Sequence, residues 1–378
     1  MELRPPTLQN VQENMEESIK LIETSALESN QKLELTLLLL SDKKQGIQLG
    51  DSRIIQSESV EERRHWFKKF SAELTHILKV LKELRLEHQI VKNLSEEEDI
   101  VSFSVLASKD KKTLQKFYEA DRTENDKTFG LMAGFPETAV EAYGTSNALN
   151  KEELLPETID KLRAENLWPF ILFTFSQEHF QAELEFVRRN KKLVEEKAPR
   201  LSRELLKEQE KGLELDALRE KFEKVVDSKG EPIDRGIMET IVIFNAFGFP
   251  TSQSCEGHID LHQERPRSMA PWVEIYPEES EQENWEKNRK LRNEVKAERD
   301  KYLSKMANLL YEFYADQNVS EDVRLTTSLS DHGFRVQSKG LNILLDPENK
   351  DQQERAKRYK WEMERFTLFL EGKFKKVP

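Results

Sequence analysis

The sequence predicts an α+β protein of two domains. Three observations carry this: strand-like pairs with turns occur near both ends of the chain, long stretches repeat apolar residues every three or four positions, and a run of Lys, Glu and Arg over about 190–212 divides the two patterns. The expected domains are 1–200, an α+β domain with a helical extension, and 232–378, a second α+β domain. A charged helical linker over 201–231 joins them. At 378 residues, each part is long enough to bury its own core. Each is expected to be a small antiparallel or mixed sheet backed by long helices.

After a helical start near 8–29, the run from Lys32 to Leu40 reads as a strand, turning at Ser41-Asp-Lys-Lys44 into a second strand over 46–50. Phe67, Phe70, Leu74, Ile77, Leu81 and Leu84 then mark one stripe of a helix. Strands over 89–91 and 100–106 and a helix over 111–120 complete a ββαββα order. Residues 121–200 read as mostly helical. Pro136 opens a helix that Gly144 stops, and Ser176 is placed to cap the helix that follows the aromatic run Trp168–Phe175. Ser176, His179 and Glu137 read as structural polar groups beside aromatic clusters.

In the C-terminal half, Pro199 and Gly212 read as breaks, with a helix over 213–226 between Gly212 and the next turn. A helix buries Ile233, Ile237, Ile241 and Phe244 and ends at Gly248. Strands follow over 251–256 and 271–276, then a charged helix striped by Leu291, Val295, Tyr302, Met306, Leu309 and Phe313. A hairpin over 323–328 and 334–338 and a last helix carrying Tyr359, Met363, Phe366 and Leu370 give αββαββα.

Composition narrows the function classes. The formal charge of −12 argues against general nucleic-acid binding and against anionic membrane surfaces, both of which favour a basic face. A single cysteine forms no internal disulfide, so a reducing, cytoplasmic compartment is expected. The N-terminus shows no apolar signal region, and the longest aliphatic run, Leu37–Leu40, is far short of the ~20 residues that cross a bilayer. Gly-rich phosphate loops of the G-x-G-x-x-G and G-x4-G-K-[ST] types are absent.

Chemistry concentrates in Thr251–His262. It holds the only cysteine, Cys255, with His258, His262, Glu256 and Asp260. A thiolate nucleophile would use His258, with Gly257 turning the imidazole back towards sulfur, although Glu256 favours the neutral thiol. A zinc site would take Cys255, His258 and His262, with Glu274 or another acid adding oxygen, and His332 as the best remote candidate. The structural alternative is a buried Cys255 at a strand end, with Gly257 as a turn.

Hairpin alternation adds a second clue. With Ser330-Asp-His-Gly333 as the turn, Ser328 faces Arg335, Thr326 faces Gln337 and Arg324 faces Lys339. Arg324 and Arg335 would then orient an anionic ligand on the face that carries Trp272 and Glu274, a face that otherwise reads as ordinary solvated sheet. The loop with Arg265 and Arg267 is placed to fold over it.

Gly134-Phe-Pro-Glu-Thr-Ala-Val-Glu-Ala-Tyr143, with Phe173–Phe180, and Gly248–His258, with Ala270-Pro-Trp-Val-Glu-Ile275, resemble a family of uncharacterised proteins from bacterial genomes, chiefly uncultivated small-genome lineages. That resemblance implies a bacterial origin and no particular activity. More distantly, Thr251–His258 is similar to the Ser-Cys-Ser-Gly-Arg stretch of the wybutosine-type tRNA-modifying proteins. Glu256 and His258 stand here where that pattern has serine and arginine.

The functional expectation is a cytosolic enzyme whose Cys255, His258 and Glu274 act by metal-assisted or thiol chemistry on a small anionic substrate. Its alternative is a module that binds a ligand or protein on the same sheet face without turnover. The long amphipathic helices also suit self-association.

Overall fold

The computed structural model describes residues 8–55, 60–95, 100–226, 230–257, 259–260, 267–268, 270–277, 289–315, 317, 319–330, 333–342 and 350–376. The chain is α+β and divides into two compact units, Met1–Gln209 and Glu210–Pro378.

The first unit runs α1 (Leu8–Thr24), α2 (Ser29–Leu40), β1 (Gly46–Ile55), α3 (Val60–Glu83), β2 (Glu87–Ser95), β3 (Ile100–Ser108), α4 (Lys111–Arg122), α5 (Asp126–Met132) and α6 (Glu137–Ala142). Then come β4 (Ala148–Leu149), α7 (Pro156–Ala164), β5 (Phe175–Ser176), α8 (Phe180–Lys197) and the start of α9 (Pro199–Glu223). The strand expected over 32–40 is therefore a helix, and the order after α1 is αβαββα rather than ββαββα. The reason is burial on more than one side. Leu33 and Leu37 enter one core, with Val187 and Leu201. Leu35 and Leu38 enter another, with Ile47, Ile77 and Leu81. A helix apolar around most of its circumference loses the polar stripe by which its period is read. A capping box of Glu28 and Gln31 starts it.

The first sheet is antiparallel in the order β1-β3-β2. One face packs Ile47, Leu49 and Val105 against α2 and α3. The other packs Val91 and Leu106 against Leu114 and Phe117 of α4. Gly46 lies against Phe117 so closely that a Cβ there would stand 2.7 Å from the ring. A Cβ on Gly134, which takes φ 79°, would likewise stand 2.9 Å from the Lys44 backbone. This gives the glycine that opens the 134–143 motif a close-approach role.

Ser176 does not cap α8. Its N–H donates 2.7 Å to the Glu183 carboxyl, which also accepts from the Thr138 hydroxyl at 2.5 Å. Ser176 is thus fully buried in β5, and α8 begins four residues later, at Phe180. The break expected at Pro199 falls between α8 and α9, but Gly212 lies inside α9 rather than breaking it.

The second unit continues from α9 through α10 (Arg235–Ala246), β6 (Thr251–Cys255), β7 (Ile259–Asp260), β8 (Arg267–Ser268), β9 (Trp272–Ile275), α11 (Arg289–Tyr314), β10 (Leu325–Leu329), β11 (Phe334–Ser338) and α12 (Lys350–Lys376). Its main sheet is antiparallel in the order β10-β11-β9-β6, and β7 and β8 pair separately. The hairpin register places Ser328 opposite Arg335 and Thr326 opposite Gln337, as alternation requires. Val273, Ile275, Phe334 and Val336 share a core with Ile241 and Phe244 of α10, Met306 and Phe313 of α11, and Phe366 and Leu370 of α12. The helices thus cover one face of the sheet. Among the described residues, no helix is long and apolar enough to cross a membrane.

A Gly46→Ala substitution forces the Phe117 ring to move within a packed layer. We expect a loss of about 1–3 kcal/mol of stability, read as a lower urea midpoint with an unchanged slope.

Candidate functional site

The second face of the C-terminal sheet is built by alternation in β9. With Val273 and Ile275 in the core, Trp272 and Glu274 point to the opposite side. Register then fixes their neighbours: Arg335 lies opposite Glu274 and Gln337 opposite Trp272 in β11. In β6, Gln253 lies opposite Glu274 and Cys255 opposite Trp272. The expectation of an ordinary solvated face is not met, since Glu274, Gln337, Trp272 and Cys255 are 3%, 7%, 8% and 8% exposed.

Arg335 organises this patch. Its Nη2 donates to Glu274 Oε2 at 3.1 Å. Its guanidinium lies 4.1 Å from the Trp272 ring centroid, within the range of a cation–π contact. The Arg335 side chain keeps 39% of its surface exposed, so the pair has one wet end. Among the described residues, two buried donors have no acceptor: Trp272 Nε1 and Arg335 Nε. Leaving a buried donor unsatisfied costs roughly 1–3 kcal/mol.

The Ser254-Cys-Glu-Gly257 stretch is built for folding. Glu256 Oε2 accepts from the Gly236 N–H at 2.7 Å, so it satisfies an otherwise unpaired donor in the first turn of α10. A Cβ on Gly236 would stand 2.2 Å from that oxygen. Gly257 takes φ 85°, a left-handed turn that suits glycine, and its N–H donates 3.4 Å to Cys255 Sγ. Burial pushes the Cys255 thiol above its ordinary pKa; the Gly257 N–H opposes this, while the charges of Asp234 and Glu256 reinforce it. A thiol so placed is protonated at neutral pH.

The remaining sequence-derived candidates divide. His258, His262 and His332 lie outside the described residues, as does Arg265. The zinc set of Cys255, His258 and His262 therefore reduces to one described member. Among the described residues, no group of three or more His, Cys, Asp or Glu side chains is placed to hold a metal. Arg324 is engaged elsewhere: it donates to the carbonyls of Val319 at 3.1 Å and Gln317 at 3.2 Å. Its guanidinium lies 5.2 Å from the Tyr314 ring centroid. The structure brings Glu274, Arg335, Trp272 and Cys255 to one sheet face, but the described contacts of Arg324 share no residue with those of Arg335.

A second buried polar group escaped the sequence reading. Glu362, fully buried on α12, pairs with Arg365 Nη1 at 2.6 Å, and Arg365 Nη2 also donates to Gln317. Burial raises the Glu362 pKa against the opposing Arg365 charge and Tyr314 hydroxyl. Burial likewise pushes the Tyr314 phenol up, while its oxygen accepts from the Leu325 N–H at 2.7 Å. The available signal was Glu362 itself, a charge three positions after Tyr359 and one before Met363 on the apolar stripe.

Comparison of the chain with protein-family models, with curated proteins and with solved structures finds no match.

Two outcomes follow from this geometry. Glu256→Ala removes the α10 cap and should cost about 0.5–2 kcal/mol in urea unfolding. For Cys255, the raised thiol pKa contributes stability that is complete below the free-thiol value near 8.5 and is lost as pH rises through the folded-state value. Labelling by a disulfide reagent should therefore titrate above the pH seen for the unfolded chain, where a reactive thiolate would titrate below it.

Proposed function

We propose that the C-terminal unit is a binding module for a small ligand bearing a carboxylate or phosphate, received on the second face of its sheet. The observation that carries this reading is the pair of buried donors, Trp272 Nε1 and Arg335 Nε, that have no acceptor among the described residues. A ligand oxyanion supplies the acceptors that both donors lack and meets the exposed end of Arg335. Glu274 holds the guanidinium over Trp272 and keeps it from collapsing onto the ligand site. Because Glu274 already compensates the arginine charge, affinity rests on directed hydrogen bonds more than on net attraction. Cys255 contributes a neutral thiol to the wall. The surroundings of Cys255 favour this binding role over thiol chemistry, because burial and two neighbouring carboxyl groups all disfavour the thiolate.

Isothermal titration at low ionic strength, with inorganic phosphate and acetate as probes, tests the reading. Wild-type protein should bind at least one of them saturably. Trp272→Phe keeps the ring and removes the indole donor; it should weaken binding about tenfold, the ~1.4 kcal/mol of one charge-assisted hydrogen bond. Arg335→Ala should abolish it, and Cys255→Ser should leave it unchanged. Equal affinities in wild type, Trp272→Phe and Arg335→Ala, or no binding by wild type, would sink the proposal.

A further inference from the structure

The N-terminal unit holds a cavity of about 380 Å3, within the size range of small-molecule sites. It lies where α4 turns into α5 and where the 134–143 motif meets the segment before β5. Its wall is aromatic: Phe129, Phe135 and Phe173 all line it. Each of these rings is fixed by a neighbour. Phe129 stacks on Phe117 with centroids 4.3 Å apart. Phe135 and Phe173 meet at 5.8 Å, and Phe173 meets the buried Phe175 edge-on at 5.2 Å. All three rings pack against the cores behind them yet remain partly exposed, and each also lines the cavity.

One side of that opening is acidic. Asp121, Glu124 and Asp126 line the same cavity, and among the described residues none of these three carboxyl groups has an ion-pair or side-chain hydrogen-bond partner. The nearest lysine in sequence, Lys127, is already paired with Glu141 at 2.9 Å. A rigid aromatic wall with uncompensated carboxylates at its edge fits one class of occupant. We infer that this cavity binds a small organic ammonium ion with an apolar body: the body covers the phenylalanine faces and the ammonium meets the carboxylates. Ring faces add to the attraction for a cation, and the same carboxylates repel an organic anion of equal size. Neither element depends on the oxyanion site of the C-terminal unit.

Three probes of matched shape test the inference on the full-length chain at low ionic strength: phenethylammonium, 2-phenylethanol and 3-phenylpropionate, titrated against 1H–15N spectra. Phenethylammonium should bind saturably and about tenfold more tightly than 2-phenylethanol, with shifts centred on residues 121–143 and 172–174. The anionic probe should shift none of those residues, whatever it does at the C-terminal sheet face. The rim carboxyl groups stand at the cavity mouth, so Asp121→Asn with Glu124→Gln leaves the fold intact, as an unchanged circular dichroism spectrum checks. This double variant should reduce the preference for the cation to within about twofold while keeping the affinity for 2-phenylethanol. Trp272→Phe should change neither. Equal binding of ammonium and alcohol by wild type, an unaltered preference in the double variant, or no saturable binding of phenethylammonium would each overturn it.

Discussion

Glu274 sits almost wholly inside the C-terminal unit, 3% exposed, and a carboxyl group there is tolerable only with a partner. Arg335 is that partner, delivered by the register of β11 against β9. The consequence spreads outward. Holding the guanidinium to Glu274 lays it over Trp272, and that stacking turns an alternating sheet face into a defined surface. Breaking a buried pair by removing one member costs more than the pair itself contributes. The half-wet arginine moderates that cost here, because solvent reaches one end of the pair.

The same rule governs the other interior charges. Lys44, 6% exposed, is paired with Glu34 at 2.7 Å and donates to the Ala133 carbonyl at 2.8 Å. Glu183 is met by a hydroxyl and a backbone N–H. Glu362 meets Arg365, although its Oε1 has no hydrogen bond among the described residues. Lys44 and Glu183 sit beside the 134–143 motif, so the polar residues near it anchor helices and turns. That motif is better understood as a brace for the aromatic cavity than as a reacting group.

What could be read from the sequence follows from how local each cause is. The hairpin register was legible because a period of two and one turn fix it, and so the facing of Ser328 with Arg335 and the face shared by Trp272 and Glu274 were legible too. The stripes of α11 and α12 were legible because apolar residues recurring every three or four positions are an equally local signal. Residues 32–40 misled because Leu33, Leu35, Leu37 and Leu38 are all buried, which erases the helical signature. The role of Glu256 was hidden for a different reason: its partner, Gly236, lies 20 positions away and no local pattern joins them. The acidic rim at Asp121, Glu124 and Asp126 carried no local signal of a site, since Phe173, which closes the cavity beside it, comes from a segment distant in sequence.

Helix α2 has a consequence for how the N-terminal unit comes apart. Leu33 and Leu37 belong to one apolar cluster and Leu35 and Leu38 to another, so neither cluster can open while the other stays closed around this helix. Backbone amides of α2 should then exchange with solvent only through the largest opening the unit undergoes, and the two clusters melt as a single cooperative block.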